Sequence, residues 1–382
     1  MTSPKLRVLV VSESFLPQIN GVTNSVRRVL EHLQTTGHTA ELIAPTGPSS
    51  YAGARVRTAR GATLPFYPDF KVGFETRARL REAITGFGPD VIHLASPATL
   101  GFPTARVARE LAIPTVAIYQ TDLVGFADRY RVLPGGALAA ASLTKAIHQL
   151  ADLTLAPSSA SLTQLEGLGI DNCLLWPRGV DAQLFNPARR SRSLRTRLGA
   201  PEKVLVGYVG RLAAEKELGL LATLADDPRL QLVLVGSGPE ESRLRSLLPQ
   251  ARFLGVLHGE ELARAYASLD VFVHTGRHET FCQSAQEALA SGVPVVAPDS
   301  GGPRDLVASG KTGYLYRPGD GDDMARIVAL LATETRYRKK LGRQARISVQ
   351  DRSWAAVNDA LIDHYRTAIS GQRVHAPVSC AV

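Results

Sequence analysis

Residues 271–297, VFVHTGRHETFCQSAQEALASGVPVVA, contain the pattern that decides the fold class. The short apolar run Val271–His274 predicts a buried strand, a helical segment follows from Glu279, and Val293–Ala297 predicts the next strand. Strands that alternate with helices are typical of a parallel sheet covered by helices on both faces. We therefore predict an α/β protein.

The same alternation extends outward through both halves of the chain. Apolar runs predict further strands at Leu6–Val11, Ala40–Ala44, Asp90–Leu94, Thr115–Tyr119, Leu153–Ala156, Lys203–Val209 and Leu230–Val235. Helical spacing predicts helices at Val22–Leu33, Pro103–Leu111 and Ala137–Ala151. Two doubly wound domains in series imply a cleft, with functional loops directly after the strands.

The alternation lapses between Pro177 and Glu202, where an Asn-Pro turn signal and an arginine-rich stretch at residues 189–197 predict an exposed boundary. A length of 382 residues is also typical of two domains. We predict a first domain at residues 1–178 and a second at 179–352. A C-terminal helix at about 353–370 should join the first domain, and residues 371–382 should form a flexible tail.

The composition restricts the function classes without choosing one. With 45% hydrophobic and 21% charged residues, the chain is neither wholly disordered nor a fibrous repeat. The 44 Lys and Arg against 35 Asp and Glu give a net charge of +9, compatible with nucleic acid, a membrane surface or an anionic substrate. A nucleic-acid binder is disfavoured because the cations are scattered and no known binding module is present.

Cysteine usage and hydropathy predict a cytoplasmic chain. Three unpatterned cysteines make neither a disulfide framework nor a zinc site. The start lacks a signal-peptide core, and no apolar run approaches the length of about 20 residues that spans a bilayer. Any membrane contact should therefore be peripheral.

Two loops after predicted strands are suited to an anion. Asn20 and Gly21 open a helix, where glycine admits close backbone approach and free N–H groups point outward, although a turn with an N-cap explains them equally. Arg211 ends the second domain's first strand and Lys216 follows it, so the two cations are placed to hold a diphosphate. A solvated loop is the alternative for that pair.

The most informative pair is Glu279 and Glu287, which are eight residues apart. In a helix this spacing puts both carboxylates on one broad face, with Glu279 at the N-terminus. Thr280 and Phe281 would offer backbone N–H groups to an anion there. A carboxylate accepts two hydrogen bonds at once, which suits the paired hydroxyls of a sugar or ribose.

Together these motifs resemble retaining nucleotide-sugar glycosyltransferases of the GT-B fold, the large family numbered four. The resemblance spans nearly the full chain and also takes in Gly236-Ser237-Gly238-Pro239 and Ser300-Gly301-Gly302-Pro303-Arg304-Asp305. The segments 13–22, 119–122 and 278–282 are most similar to actinobacterial GDP-mannose-dependent α-mannosyltransferases of glycolipid and lipoglycan assembly. The resemblance implies two Rossmann-like domains facing across a deep cleft.

The resemblance also implies roles for the donor residues. Glu279 would contact the donor-sugar hydroxyls and Glu287 the ribose, while Arg211 and Lys216 would clamp the diphosphate. The catalytic set would be Arg211, Lys216 and Glu279. Backbone groups of Thr280 and Phe281 would meet phosphate or sugar, and Asn20 and Gly21 would approach the phosphates.

One departure from the family lies in the first domain. Many relatives carry a histidine where this chain has Gln120, and Gln bonds a hydroxyl but carries no proton charge. Gln120 is therefore a predicted sugar contact. Asp122 is a candidate acceptor-side group, and His93 is a second, with a buried core histidine as its alternative reading.

The expected activity is transfer of a hexose with retention, most simply α-mannose from GDP-mannose to a glycolipid acceptor. UDP-sugar-dependent transfer of a glucosyl, N-acetylglucosaminyl or sulfoquinovosyl group remains open, and a nucleotide-sugar epimerase is less well supported. No cofactor or essential metal is expected, because no D-x-D motif follows a strand and the acidic run 320–323 fits a helix N-cap.

The acceptor side is expected at a membrane. Aromatic residues alternate with cations between residues 57 and 81, which suits an anionic lipid surface, although a core-facing helix with a basic solvent side is the alternative. The aromatic residues are Phe66, Tyr67, Phe70 and Phe74, and the cations are Arg57, Arg60, Lys71, Arg77, Arg79 and Arg81. We expect a cytoplasmic protein bound peripherally to the inner face of the plasma membrane.

Overall fold

The computed structural model describes residues 4–18, 20–64, 67–122, 125, 136–199 and 201–372. The chain divides into two compact units. Unit 1 is Met1–Pro177 with Ala355–Val382, and unit 2 is Arg178–Trp354. Each unit is built on its own sheet of largely or wholly parallel strands.

Unit 1 contains an eight-stranded sheet in the order β10-β9-β8-β7-β1-β2-β4-β3 and a two-stranded sheet, β5-β6. Its strands are β1 Arg7–Ser12, β2 Thr39–Ala44, β3 Ser50–Tyr51, β4 Ala54–Thr58, β5 Arg60–Leu64, β6 Tyr67–Phe74, β7 Val91–Ala95, β8 Thr115–Ile118, β9 Leu153–Ala156 and β10 Cys173–Leu175. Its first helices are α1 Gly21–Thr35, α2 Arg77–Phe87, α3 Gly101–Glu110, α4 Gly136–Leu150 and α5 Ser159–Gly167.

Unit 2 contains a parallel six-stranded sheet in the order β13-β12-β11-β14-β15-β16. Its strands are β11 Val204–Val209, β12 Leu230–Val235, β13 Arg252–Phe253, β14 Val271–Val273, β15 Val295–Pro298 and β16 Gly313–Tyr316. Its helices are α6 Arg192–Arg197, α7 Glu241–Leu247, α8 Gly259–Ser268, α9 Gln283–Ala290, α10 Pro303–Leu306, α11 Gly321–Thr333 and α12 Thr335–Val349, with 3₁₀ turns at Pro187–Arg189, Ala214–Lys216 and Leu218–Leu224.

The last helix, α13 Trp354–Ser370, packs into the core of unit 1 from residue 355 onward. Val357, Leu361 and Tyr365 are buried among the strands of the unit 1 sheet. The Trp176 indole donates to the carbonyl of Val357 at 2.9 Å. The apolar spacing of this helix thus serves the first unit rather than the second.

The start of α1 agrees with the sequence prediction. Asn20 has an extended backbone, and its Oδ1 accepts the backbone N–H of Thr23 at 2.9 Å. This bond satisfies one of the N–H groups that lack a partner in the first helical turn. The helix then buries Val26, Val29 and Leu33 against the sheet.

The arginine-rich stretch at residues 189–197 is less solvated than predicted. Arg190 and Arg195 each donate to one oxygen of Asp270, at 2.6 and 2.7 Å. The same carboxylate also accepts the backbone N–H of Leu205 at 2.9 Å, at the start of β11. Part of the positive charge therefore attaches this segment to the sheet of unit 2.

Two local predictions differ from the structure. The helix after β14 begins at Gln283, because Cys282 has a left-handed φ of 75° that ends any earlier helical run. Glu279 is therefore a loop residue, and the helical spacing argument for the two glutamates does not apply. The aromatic segment 67–74 forms the hairpin strand β6, so the core-facing helix given as the alternative for this segment is wrong.

Among the described residues, no helix is both long enough and apolar enough to cross a membrane.

Candidate functional site

The loops after β11 and β14, two neighbouring strands of unit 2, bring together a lysine, a glutamate and a histidine. Lys216 ends the 3₁₀ turn after β11, and its Nζ donates to Oε1 of Glu279. His274 directly follows β14, and its Nε2 lies 3.3 Å from the same Oε1. Lys216 and Glu279 are 63 residues apart in the sequence, so the parallel sheet is what brings them together.

The cluster fixes the charge on Glu279. Burial by itself would raise the pKa of this carboxyl, but the charges and hydrogen bonds of Lys216 and His274 outweigh burial and hold the pKa well below its usual range. Burial would likewise lower the pKa of His274, yet the neighbouring Cys282 and Glu279 raise it to about 10. Glu279 is thus an anion at neutral pH and suited to accept hydrogen bonds rather than protons.

The loop that carries Glu279 rests on the Ser300–Pro303 motif. The N–H of Gly302 donates to the carbonyl of Glu279 at 2.8 Å, and Ser300 Oγ donates to the carbonyl of Arg277 at 2.8 Å. A Cβ at residue 302 would lie only 2.3 Å from the Cα of Phe281. Glycine is required there because the two backbones touch.

The loop that carries Arg211 is held in the same way by the Gly-turn after β12. The N–H of Gly210 donates to the carbonyl of Val235 at 3.0 Å, and a Cβ on Gly236 would lie 2.0 Å from the carbonyl oxygen of Gly210. The Arg211 side chain is 39% exposed, and its Nη1 lies 3.8 Å from Glu215. Arg211 therefore keeps more solvent access than Lys216, whose side chain is 22% exposed.

Glu287 lies within α9 and titrates differently from Glu279. Burial raises the pKa of its carboxyl to about 7, and the interactions with Tyr266 and Gln283 offset only part of that rise. The Phe281 side chain is buried in the core of unit 2, so only its backbone remains for a ligand. The two glutamates thus differ in protonation near neutral pH although the sequence treats them as a pair.

Two residues near Glu279 were not predicted from the sequence. His274 could have been found, because it directly follows a buried strand, where functional side chains of α/β folds collect. Arg178 is buried, and burial lowers the pKa of its guanidinium to about 10 while the charge of Glu279 opposes that fall. Its carbonyl accepts the Gln286 amide at 2.9 Å, a contact that no local pattern signals.

The predicted residues of unit 1 have different environments. Gln120 is buried at the end of β8, beside Ser96, Thr121 and His148 in a small polar cavity. Oδ1 of Asp122 accepts from the Gly125 N–H and the Gln164 amide, both at 3.0 Å. Gly21 is the first residue of α1, next to its cap Asn20.

His93 does not have the environment of an acceptor contact. It is fully enclosed in the core of unit 1, where its Nδ1 lies 2.7 Å from the Tyr365 hydroxyl and its ring packs edge-on against Trp176. Burial lowers the pKa of the imidazole to about 3. The core-histidine alternative describes it, and we correct the acceptor assignment.

Acidic neighbours neutralise part of the positive charge of residues 57–81, the segment in which aromatic residues alternate with cations. Ion pairs join Arg57 to Glu41, Arg79 to Glu75, and both Arg77 and Arg81 to Glu110. The Phe74 side chain is 48% exposed. Phe66 and the side chains of Tyr67, Phe70 and Lys71 lie outside the described residues.

Metal ligands are not grouped in the described parts of the chain, where no three His, Cys, Asp or Glu side chains come close enough to hold an ion. The acidic run at 320–323 caps a helix instead. Oδ1 of Asp320 accepts the backbone N–H of Asp323 at 2.9 Å at the start of α11, as its sequence position indicates.

Comparison with known proteins decides the family. The family model "Glycosyltransferase Family 4" matches residues 19–184, and "Glycosyl transferases group 1" matches residues 191–348. A GDP-mannose-dependent alpha-mannosyltransferase of Mycobacterium tuberculosis is 48% identical over 96% of this chain and 98% of its own length. The chain belongs to glycosyltransferase family 4.

Two other relatives are also similar over nearly the whole of this chain. A GDP-mannose-dependent alpha-mannosyltransferase of Mycolicibacterium smegmatis is 46% identical over 96% of this chain and 99% of its own length. A sulfoquinovosyl transferase of Arabidopsis thaliana is 34% identical over 97% of this chain and 75% of its own length. The predicted resemblance to actinobacterial mannosyltransferases of family 4 is confirmed.

The fold comparison agrees with the family. Anabaena HepE in complex with UDP superposes with a TM-score of 0.78 at 20% identity, over 95% of this chain and 100% of that one. Sucrose-phosphate synthase from Thermosynechococcus elongatus gives a TM-score of 0.76 at 22% identity, over 96% and 100% of the two chains. The predicted GT-B fold of family 4 is confirmed.

Proposed function

We propose that this chain is a retaining α-mannosyltransferase that moves mannose from GDP-mannose to a hydroxyl of a lipid-linked acceptor. The observation that carries the proposal is the Lys216–Glu279–His274 cluster at the carboxyl edge of the unit 2 sheet. It provides a fixed carboxylate for sugar hydroxyls next to a cation for phosphate. The mannosyltransferases that resemble the chain over nearly its full length support the donor assignment.

In the proposed donor complex, Glu279 accepts hydrogen bonds from sugar hydroxyls and Glu287 from the ribose. Lys216 and the partly exposed Arg211 neutralise the diphosphate, the lysine as a point charge and the arginine through its planar fork. Backbone groups of Thr280 and Phe281 complete the contacts to phosphate or sugar. All of these residues belong to unit 2.

We propose a front-face mechanism for the transfer. The acceptor oxygen bonds to the anomeric carbon on the face from which the diphosphate oxygen departs, and the acceptor proton passes to that departing oxygen. Lys216 and Arg211 stabilise the negative charge that develops on the leaving group. Glu279 is unsuited to be a nucleophile, because its low pKa and two cationic contacts make its carboxylate a weak base.

The donor test uses parallel reactions with GDP-mannose, UDP-glucose and ADP-glucose, each with and without extracted glycolipids as acceptors. We expect lipid-dependent GDP release from GDP-mannose and an α-linked product by NMR. Glu279→Gln should reduce that rate by about a hundredfold or more. Glu260→Gln, the same change at a surface ion pair with Arg189, should not. Transfer from UDP-glucose with none from GDP-mannose would overturn the donor assignment.

A different donor sugar is the second candidate, because a sulfoquinovosyl transferase is also similar over most of the chain. A sulfoquinovose donor carries a sulfonate, which would need its own cation. UDP-sulfoquinovose therefore belongs in the donor panel, and turnover exceeding that with GDP-mannose would favour this candidate.

We further propose that the enzyme binds peripherally to an anionic membrane through residues 57–81. The exposed Phe74 and the arginines beside it support this, although ion pairs with acidic neighbours weaken the positive potential. Co-sedimentation with liposomes should increase with the fraction of anionic lipid and decrease with salt. Equal binding to neutral and anionic vesicles would contradict the electrostatic part.

A further inference from the structure

His274 is a buried histidine held in one orientation from several sides. Its side chain is 2% exposed, and its ring lies nearly parallel to that of Tyr208, with centroids 6.1 Å apart. Its backbone N–H donates to Val296 at 2.9 Å, and its carbonyl accepts the Tyr316 hydroxyl at 3.1 Å. In this position the ring has its Nε2 3.3 Å from Oε1 of Glu279.

Lys216 and His274 contact the same oxygen of Glu279. Nζ of Lys216 and Nε2 of His274 both lie within ion-pair distance of Oε1. A carboxylate has two oxygens with about four acceptor positions. The contacts to Oε1 therefore set the direction of Oε2, the oxygen that the proposed function assigns to a sugar hydroxyl.

The lysine has a second task in the proposed reaction. A nucleotide-sugar diphosphate brings negative charge to Lys216, whose ammonium then divides its donors and its field between phosphate and Glu279. A buried carboxylate that loses part of its counter-charge favours the protonated form and becomes a poorer acceptor. A second group on Oε1 prevents that loss.

We propose that His274 is this second group, a positioning residue that keeps Glu279 ionised and aimed at the donor sugar while Lys216 serves the diphosphate. This inference rests on the proposed function. It goes beyond it by assigning a role to a residue outside the two-glutamate motif and the Arg211–Lys216 pair. His274 itself contacts Glu279 rather than the substrate.

The surroundings of the imidazole agree with this role. The titratable or charged groups around it are Glu279 and Cys282 on the loop before α9, Lys216 and Tyr208 from the β11 side, and Tyr316 through its hydroxyl on β16. Glu279 is the carboxylate within ion-pair distance of this ring among the described residues. His274 therefore acts on Glu279, the residue that contacts the donor sugar in the proposed function.

The test compares binding of GDP-mannose with binding of GDP by calorimetry. GDP lacks the sugar, so the ratio of the two affinities isolates the contact that Glu279 makes. His274→Phe keeps an aromatic ring beside Tyr208 but removes Nε2. We expect the affinity for GDP-mannose to fall at least tenfold while that for GDP stays within about twofold, since the ion-pair contact of Nε2 with Oε1 of Glu279 is lost.

Two further variants separate positioning from simple structural support. His274→Gln retains a donor for Oε1 and should recover part of the lost GDP-mannose affinity. His258→Phe, the same change at an exposed helix cap, should alter neither affinity. In a double-mutant cycle, His274→Phe should have no further effect on the ratio once Glu279→Gln is present, because the two residues act as one unit.

The outcomes are distinct. Equal loss of affinity for both ligands, or additive effects in the cycle, would refute the positioning role and leave a packing role. The proposed function would be refuted instead if the native chain binds GDP-mannose no more tightly than GDP and turns over another donor. The native measurements come first, so the two failures are not confused.

Discussion

The affinity for GDP-mannose should fall as the pH drops from 8 to 6, because the Glu287 carboxyl titrates in this range. Burial raises its pKa to about 7, and contacts with Tyr266 and Gln283 offset only part of the rise. In the proposed donor complex this carboxylate accepts hydrogen bonds from ribose hydroxyls. The donor therefore binds the ionised form, and a proton competes with it.

The size of the effect follows from the ionised fraction. A carboxyl with a pKa of about 7 is about nine-tenths ionised at pH 8 and about one-tenth ionised at pH 6. The apparent dissociation constant should therefore be about tenfold higher at pH 6. Glu279 and His274 do not titrate here, because their pKa values lie far below and well above this range.

Calorimetry with GDP-mannose measures this directly. GDP itself is a poor probe, because its terminal phosphate titrates in the same range. Glu287→Gln is the control: it cannot ionise, so its affinity should be the same at both pH values. A native chain with equal affinity at pH 6 and 8, or a Gln variant with the same tenfold difference, would refute the reasoning.

The same pKa has a consequence for stability with a definite sign. The folded pKa of Glu287 lies above the usual value near 4.5, so the ligand-free folded state binds the extra proton between these values. Stability from this group is present below about pH 4.5 and is lost as the pH rises through 7, by about 3 kcal/mol. Glu287→Gln should therefore raise the melting temperature more at pH 8 than at pH 5.

Four further substitutions test the site and the packing. Lys216→Ala should lower kcat at saturating donor by about 10²–10³ through loss of a preorganised charge, with a native circular dichroism spectrum, and an unchanged kcat would remove its role. Asp270→Asn removes the negative charge and one of the two oxygens that accept from two arginines and a strand N–H, and should cost about 3 kcal/mol in urea unfolding. Asp299→Asn, at an exposed ion pair, should cost less than about 1 kcal/mol, and equal losses would contradict the difference in burial. Ala112→Gly should raise stability by about 1 kcal/mol, because Ala112, two residues after the end of α3, has a left-handed φ of 53°; calorimetric melting that shows a decrease would contradict this.

The α/β class was predictable because each buried strand is a short, largely apolar run, whereas the helices repeat their apolar residues at helical spacing. The strands β1, β2, β9, β11 and β12 all fall at the predicted places to within one residue at each end. The hairpin β5-β6 was missed, because its aromatic and basic residues have no clear period, and the alternative considered for the segment was a core-facing helix. Pairing between two strands is a nonlocal contact that alternation alone does not specify.

The site was predictable in part for the same reason. Loops after parallel strands converge at one edge of a sheet, so Lys216 and Glu279 were identified as neighbours in function from their places after strands. The helix that was predicted to begin at Glu279 begins at Gln283, after the left-handed Cys282, and the loop before it packs closely against Gly301 and Gly302. Local helix propensity does not account for that contact, because the two segments are not neighbours in the sequence.

The sequence by itself determined the α/β alternation, the family, and the identity of the cations and carboxylates that a nucleotide-sugar site needs. Only the tertiary structure decided their environments: it buried His93 in a core, paired the arginines near residue 190 with Asp270, and brought His274 to the same oxygen as Lys216. The physical reason is that charge state and direction depend on what surrounds a group in space. Those surroundings come from residues far away in the chain.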